Sequence, residues 1–254
     1  MKYHVLGCSG GVGPGFQMPS FLVDDCLLID TGSVATTLDD TQQARIDHVL
    51  LTHSHLDHTG GLPLLADNIF GMRATPVQVH GIAPTLDSLR RNLLNDVLWP
   101  DFTRIPSSAF PTLLYREIPE ESPFELAGFS IRAIRLNHAV ECVAYFIETR
   151  TGTLLHLGDT GPTDAVWRRA HEVPRLLAVC VETTFPNRLQ EIAEVSGHLT
   201  PQSLETELEK LDRDVPVMQQ DDPAGFQPAQ DARDHALRIS DARVEAAHAP
   251  ADHF

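Results

Sequence analysis

Four residues within six positions, His53, His55, Asp57 and His58, place three imidazoles and one carboxylate directly after the apolar run Val49–Leu51, in the stretch THSHLDHTGG at 52–61. Imidazole and carboxylate donors suit zinc and similar first-row dications. His53 and His55 are two residues apart, so extended backbone points both rings the same way. Asp57 and His58 follow the bend and can face a second ion. Gly60 and Gly61 let the chain turn tightly into the next helix. A chance cluster of surface histidines would need neither the buried strand before it nor the Gly-Gly after it. The chemistry on offer is metal-assisted hydrolysis, in which bound dications acidify a water and neutralise charge on the group attacked.

Such a loop must be held by regular elements. Tyr3–Leu6 reads as a strand and leads into a Gly-rich loop, Gly7–Gly15. No Lys and no helix start follow that loop, so it is not a nucleotide P-loop. Phe21–Val23 and Leu27–Ile29 form a hairpin turning at Asp24-Asp25, and Asp30-Thr31-Gly32 ends the second strand. His48–Leu51 is a short buried strand running into the His-rich loop, and Leu62–Leu65 begins a helix. The stretch Leu98–Pro123, rich in Pro, Ser and aromatics, reads as a long excursion. Strands resume at Phe129–Leu136, Val143–Glu148, Thr153–Leu157 and Leu176–Val181. Thr200-Pro201 starts a helix whose Leu204, Leu208 and Leu211 share one face. The mixture predicts an α/β fold with two sheets packed face to face and helices outside.

The 254 residues allow one large domain, placed here at residues 1–218. Residues 219–254 hold seven acids, three arginines and few large apolar side chains, which predicts an acidic, loosely packed C-terminal segment. The formal net charge of -16 argues against an extended nucleic-acid partner. It leaves room for a small phosphorylated substrate, because bound dications reverse the local field. The apolar runs are too short to span a bilayer. The N-terminal residues lack a signal-peptide core, so a cytoplasmic location is expected. The four cysteines (Cys8, Cys26, Cys142, Cys180) show no CxxC spacing and are expected to be reduced.

The metal loop resembles that of the metallo-β-lactamase superfamily, which implies a four-layer αββα sandwich of two mixed sheets. It also implies further ligands: a lone His after a later strand, matched by His138, and an Asp bridging two metals, matched by Asp159 in LGDTG. LIDTG at 28–32, NDVLWPDF at 95–102, GDTGPTDAVW at 158–167, ETTFPN at 182–187 and SGHLTP at 196–201 together resemble the class II cyclic-nucleotide phosphodiesterases, over roughly residues 3–218.

That likeness implies hydrolysis of a 3′,5′-cyclic nucleotide, cyclic AMP or cyclic GMP, to the 5′-monophosphate. One or two Zn2+ ions would serve, with Mn2+ or Fe2+ as substitutes. His53, His55 and His138 would hold the first ion, Asp57 and His58 the second, and Asp159 would bridge. His198 would face the phosphate, and Glu182 would orient a ligand or His198. The partners implied are a small cyclic nucleotide and, at most, a second copy of the chain, with no extended nucleic acid and no membrane. One position departs from the pattern: Gln220 stands where the family writes a late ligand His before a proline, here Pro223, and Asp222 stands where it writes a Lys. Three rival readings share the fold: an RNA-processing nuclease, a thioester hydrolase, and a non-catalytic metal-binding relative whose second site has decayed.

Overall fold

A computed structural model describes the backbone of residues 1–221, 236–238 and 244–245, and the side chains through Gln219. Its frame is a pair of seven-stranded mixed sheets. The first contains β1 (Lys2–Gly7), β2 (Ser20–Val23), β3 (Leu27–Ile29), β4 (His48–Leu50), β5 (Val77–Gly81), β8 (Leu113–Glu117) and β16 (Val244–Glu245). It is antiparallel from β16 through β1 and β2 to β3, then parallel through β4 and β5 to β8. A separate hairpin pairs β6 (Pro106–Ser107) with β7 (Phe110–Pro111). The second sheet contains β9 (Phe124–Leu126), β10 (Phe129–Arg135), β11 (Val143–Thr149), β12 (Gly152–His156), β13 (Leu176–Thr183), β14 (Val217–Asp221) and β15 (Ala236–Arg238). It is antiparallel from β9 to β12 and parallel from β12 to β15.

Side-chain alternation along the strands builds the layers. Leu27 and Ile29 of β3 join Tyr3, Phe21, Leu50, Tyr145 and Ile147 in a core between the sheets, while Leu28 points to the outer face. On that outer face Leu28, Val49 and Leu51 meet buried residues of α1 (Val34–Thr37), α4 (Leu62–Asn68) and α5 (Ala83–Asn92). Two short helices, α2 (Asp40–Gln43) and α3 (Leu56–Thr59), complete that side. In the second sheet Ala178 and Cys180 face inward. Val179 and Val181 face out, toward Val166 and Trp167 of α6 (Ala165–Glu172) and Leu204 of α8 (Pro201–Leu208). Another helix, α7 (Gln190–Ser196), precedes α8. The four-layer arrangement is the one expected.

Thr200 caps α8 as the Thr-Pro pair predicts: its hydroxyl accepts from Ser203 N, and Ser203 Oγ accepts from Thr200 N. The stretch Leu98–Pro123 departs from expectation, because it is not only an excursion. It contains β8, which closes the parallel half of the first sheet beside β5. Two of that strand's five residues are charged and exposed, Arg116 and Glu117 being placed at its solvent end, so an apolar-run criterion passes over it. The boundary expected at Met218 falls inside β14. Among the described residues no helix is long and apolar enough to cross a membrane. Cys142 and Cys180 are buried, Cys8 and Cys26 half-buried, and none of the four is in a disulfide.

Candidate metal centre

The parallel halves of both sheets deliver their C-terminal ends to one place, the location where α/β sheets carry their sites. Asp30 follows β3, Thr52–His58 follow β4, Asp159 follows β12, and Glu182 is the penultimate residue of β13. His138 comes from the loop after β10 and His198 from the turn between α7 and α8.

These side chains converge as three groups sharing Asp159, two of them built on the His-rich loop and the third made of Asp159, Glu182 and His198. His53, His55, His138 and Asp159 form the first, and Asp57, His58 and Asp159 the second; within each, the donor atoms lie within 4.8 Å of one another. His55 Nδ1 and His138 Nε2 are 3.1 Å apart. Two nitrogens each about 2.0–2.1 Å from one tetrahedral ion stand about 3.3 Å apart, so the spacing fits a shared cation. His53 Nε2 and His58 Nε2 are both buried without a hydrogen-bond partner. Buried polar atoms are ordinarily paired, and a dication is the partner this donor set suits.

Three of the four rings are fixed by their other nitrogen. His58 Nδ1 donates to Asp30 Oδ2 at 2.7 Å. Thr52 Oγ1 donates to the same carboxylate at 2.8 Å and accepts from His53 Nδ1 at 3.0 Å. His138 Nδ1 donates to Gly197 O at 2.9 Å. In all three rings Nε2 is thereby left as the donor to a cation. Gly197 makes its approach possible: its φ is +72°, and a Cβ there would stand 2.8 Å from His138 Cα. The His-rich loop is also tied to the Asp30-Thr31-Gly32 turn, since Thr31 N and Oγ1 both donate to His58 O, at 2.7 and 3.0 Å.

The electrostatics divide the site. Burial holds the His53 imidazole well below the usual range, helped by the neighbouring His58. Burial lowers His138 as well. For His58 burial acts in the same sense, but Asp159 and Asp30 outweigh it and raise the ring well above its ordinary value. Asp159 is the mirror case: burial would raise its carboxyl, and His58 holds it well below. Burial raises Asp57.

Beyond the donor sets, Glu182 is buried and organises the far wall. It accepts from Thr160 N at 3.0 Å, Thr184 N at 2.9 Å, the Thr184 hydroxyl, and His198 Nδ1 at 2.7 Å. His198 Nε2 is left to face the pocket. Burial raises the Glu182 carboxyl. His198 is raised too, burial opposing and Glu182 prevailing. A pocket joins both halves, lined by His55, Asp57, His58, Asp159, Glu182 and His198, with Cys8, Pro19, Thr183 and Thr184 among its walls. Among the described residues that line it, three are carboxylates and none is Lys or Arg.

All eight residues singled out from the sequence, His53, His55, Asp57, His58, His138, Asp159, Glu182 and His198, are thus within one cluster. Asp30 and Thr52, which orient His53 and His58, were not among them. The signal available was the LIDTG turn, an acid directly after a buried apolar strand. His80 and His156, the other histidines near strand ends, stand elsewhere: His80 Nε2 is 3.2 Å from His48 Nδ1, and His156 Nδ1 is 2.8 Å from Tyr3 Oη. Gln220 lies in β14 in register with Glu182. Its side chain, and Asp222, Pro223, His235, His248 and His253, lie outside the described residues.

Comparison with known proteins bears on the family and the fold. A probable 3′,5′-cyclic-nucleotide phosphodiesterase of Yersinia pestis is 26% identical over 212 residues, covering 74% of this chain and 60% of that protein. The chain therefore spans well under two thirds of that relative's length. Among solved structures, unliganded yeast PDE1 superposes with a TM-score of 0.73 at 16% identity, over 92% of this chain and 90% of the other. Human tRNase Z, short form, superposes with a TM-score of 0.66 at 20% identity, over 87% and 92%. At these identities the two structures speak for the fold alone. The family model described as "Beta-lactamase superfamily domain" matches residues 27–249, so the chain belongs to that superfamily, with the metallo-β-lactamase fold and a resemblance to the class II cyclic-nucleotide phosphodiesterases.

Proposed function

We propose that this chain is a metal-dependent phosphodiesterase that hydrolyses 3′,5′-cyclic nucleotides to 5′-nucleoside monophosphates. The observation that carries the reading is the placement of His198, fixed by Glu182 at 2.7 Å, across one pocket from two donor sets that share Asp159. The three carboxylates among the described pocket residues would repel a phosphodiester, so bound cations are needed to accept one.

His53, His55 and His138 would hold one dication, Asp57 and His58 a second, with Asp159 between them; zinc suits these donors. When bound, such ions acidify water and neutralise charge on phosphoryl oxygens. Asp30, through His58 and through Thr52 to His53, keeps the rings turned with Nε2 toward the centre. Glu182 raises the proton affinity of His198, which favours the ring protonated on both nitrogens. In that form His198 would give its Nε2 proton to the ribose 3′-oxygen as the bond from that oxygen to phosphorus breaks, while a water oxygen bonds to phosphorus from the opposite side and releases a proton to solvent. Glu182, with its lone pairs taken up by Thr160, Thr184 and His198, acts by positioning.

The test is turnover of cyclic AMP and cyclic GMP by the zinc-loaded full chain, with a precursor tRNA and an acyl thioester run in parallel. A 5′-monophosphate product, lost on chelation and restored by metal, is the expected outcome. Cleavage of the RNA alone would assign the pocket to a nuclease. Absence of turnover on every substrate, with metal bound, would leave the non-catalytic reading. The net charge of -16 weighs against the nuclease.

A further inference from the structure

The run GDTGPTDAVW at 158–167 carries Asp159 near its head and ends inside α6. Between β12 and α6 the loop has no ladder of its own, so its backbone groups need partners from elsewhere. On the inner half Thr160 N donates to Glu182 Oε1 at 3.0 Å, and Gly161 N to Asn137 O at 2.6 Å. On the outer half the partners come from the end of α8. Thr163 N donates to Glu207 Oε2 at 3.0 Å, and the Trp167 indole Nε1 donates to the same oxygen at 2.7 Å. Lys210 Nζ closes the group, donating to Glu207 Oε1 at 2.7 Å and to Thr163 O at 2.9 Å.

Glu207 stands where a helix ordinarily places an apolar residue. Leu204 is buried in the outer core with Leu208 and Leu211 packed beside it, and Glu207 lies within that stripe, 2% exposed. A buried ion pair is often no more stabilising than apolar side chains of the same volume. What an apolar side chain cannot do is hold Thr163 N and the Trp167 indole on one oxygen. α8 follows His198 after Leu199 and Thr200, so one helix has His198 just before its first turn and the Asp159 loop tied to its last.

We infer that Glu207 is a positioning residue: it fixes the Asp159 loop to α8, and through that helix sets Asp159 and His198 relative to each other. Its effect on turnover rests on the hydrolytic reading proposed above, whereas its grip on the loop is measurable without substrate.

Glu207→Met keeps the length of the side chain and extends the apolar stripe, but has no carboxylate to accept. Glu207→Gln keeps one acceptor oxygen for Thr163 and Trp167 and gives up only the pairing with Lys210. In the full chain, hydrogen exchange of the peptide spanning 158–167 should quicken at least about tenfold in Glu207→Met and stay near wild type in Glu207→Gln. Zinc-loaded Glu207→Met should lose on the order of 10–100-fold in kcat with KM near its original value, and Glu207→Gln should recover most of that loss. Circular dichroism checks that each variant is folded, and Glu207→Leu stands in should Glu207→Met not fold. Wild-type exchange in the folded apolar variant would overturn the inference, since the loop would then be held without Glu207. Faster exchange with an unchanged kcat would overturn it too, as would equal losses of kcat in Glu207→Met and Glu207→Gln. Should the wild type open no cyclic nucleotide, the proposed reaction falls, and the visible absorption of the Co2+-loaded chain decides the inference instead. That spectrum should change in Glu207→Met and not in Glu207→Gln, and no change in either would overturn the positioning role.

Discussion

Asp30 Oδ2 lies 2.7 Å from His58 Nδ1, both side chains buried, although 28 residues separate them. The same carboxylate accepts from Thr52 N and Thr52 Oγ1, each at 2.8 Å. One acid therefore sets two rings, His58 directly and His53 through the Thr52 hydroxyl. Asp30 does so with φ at +53°, in the left-handed region that Asp enters more readily than most residues. The turn after β3 thus works as the support on which the His-rich loop is oriented.

Asp30→Asn isolates that support. Asn has the same size and tolerates the same backbone conformation, so the turn should survive. Its amide nitrogen, however, is a donor where His58 and Thr52 also donate. Metal affinity should fall about 10–100-fold, with activity recovering at excess metal. Competition against a chromophoric chelator measures it, and an unchanged affinity would show that the rings hold their orientation without Asp30.

His198 and Glu182 are separable from metal binding. His198→Ala should keep the metal content and lower turnover on the order of 100-fold. Glu182→Gln should act in the same direction but through His198, depressing kcat and leaving KM near its original value. It should also move the acid-demanding limb of the pH profile down, because the carboxylate that raises the His198 pKa is gone. A wild-type rate in His198→Ala at saturating substrate would reduce that residue to a turn-former.

How much of this was legible beforehand depended on distance along the chain. His53, His55, Asp57 and His58 are set by local spacing after one strand, so they could be read from residue types alone. His138, Asp159, Glu182 and His198 lie far apart in sequence, and only resemblance brought them forward. Asp30 stayed unassigned because its partners Thr52 and His58 are reached through parallel pairing of β3 with β4, which no local pattern announces. The sheet order suffered the same way. β3 is an apolar run and β4 becomes one after His48, whereas β8 is charged at one end and placed next to β5 only by a crossover.

Gly61 marks where the loop presses on its support. A Cβ at this position would stand 1.9 Å from Thr31 O, a backbone atom that cannot swing away. Gly61→Ala must push the start of α4 off the Asp30-Thr31-Gly32 turn, at a cost on the order of 1–3 kcal/mol. Reduced stability in urea and weakened metal binding should appear together. A variant with wild-type values for both would show that the turn is softer than this contact requires.

The last prediction concerns pH and a histidine outside the donor sets. His156 is buried between the sheets, with Nδ1 2.8 Å from Tyr3 Oη, and burial pushes its pKa down to about 4. In the unfolded chain the ring titrates near its ordinary value of about 6.5. Between those values the unfolded chain binds more protons than the folded one, so the linkage makes stability rise with pH. The contribution is fully present above about 6.5 and is lost progressively as pH falls to about 4, below which both states carry the proton. At 1.36 kcal/mol per pKa unit the loss is on the order of 3 kcal/mol. His156→Gln keeps an acceptor for the Tyr3 hydroxyl and removes the titration. Urea unfolding of metal-free wild type and variant between pH 4 and 7 should give a shallower slope for the variant. Parallel slopes would mean that the acid sensitivity of this fold comes from other groups.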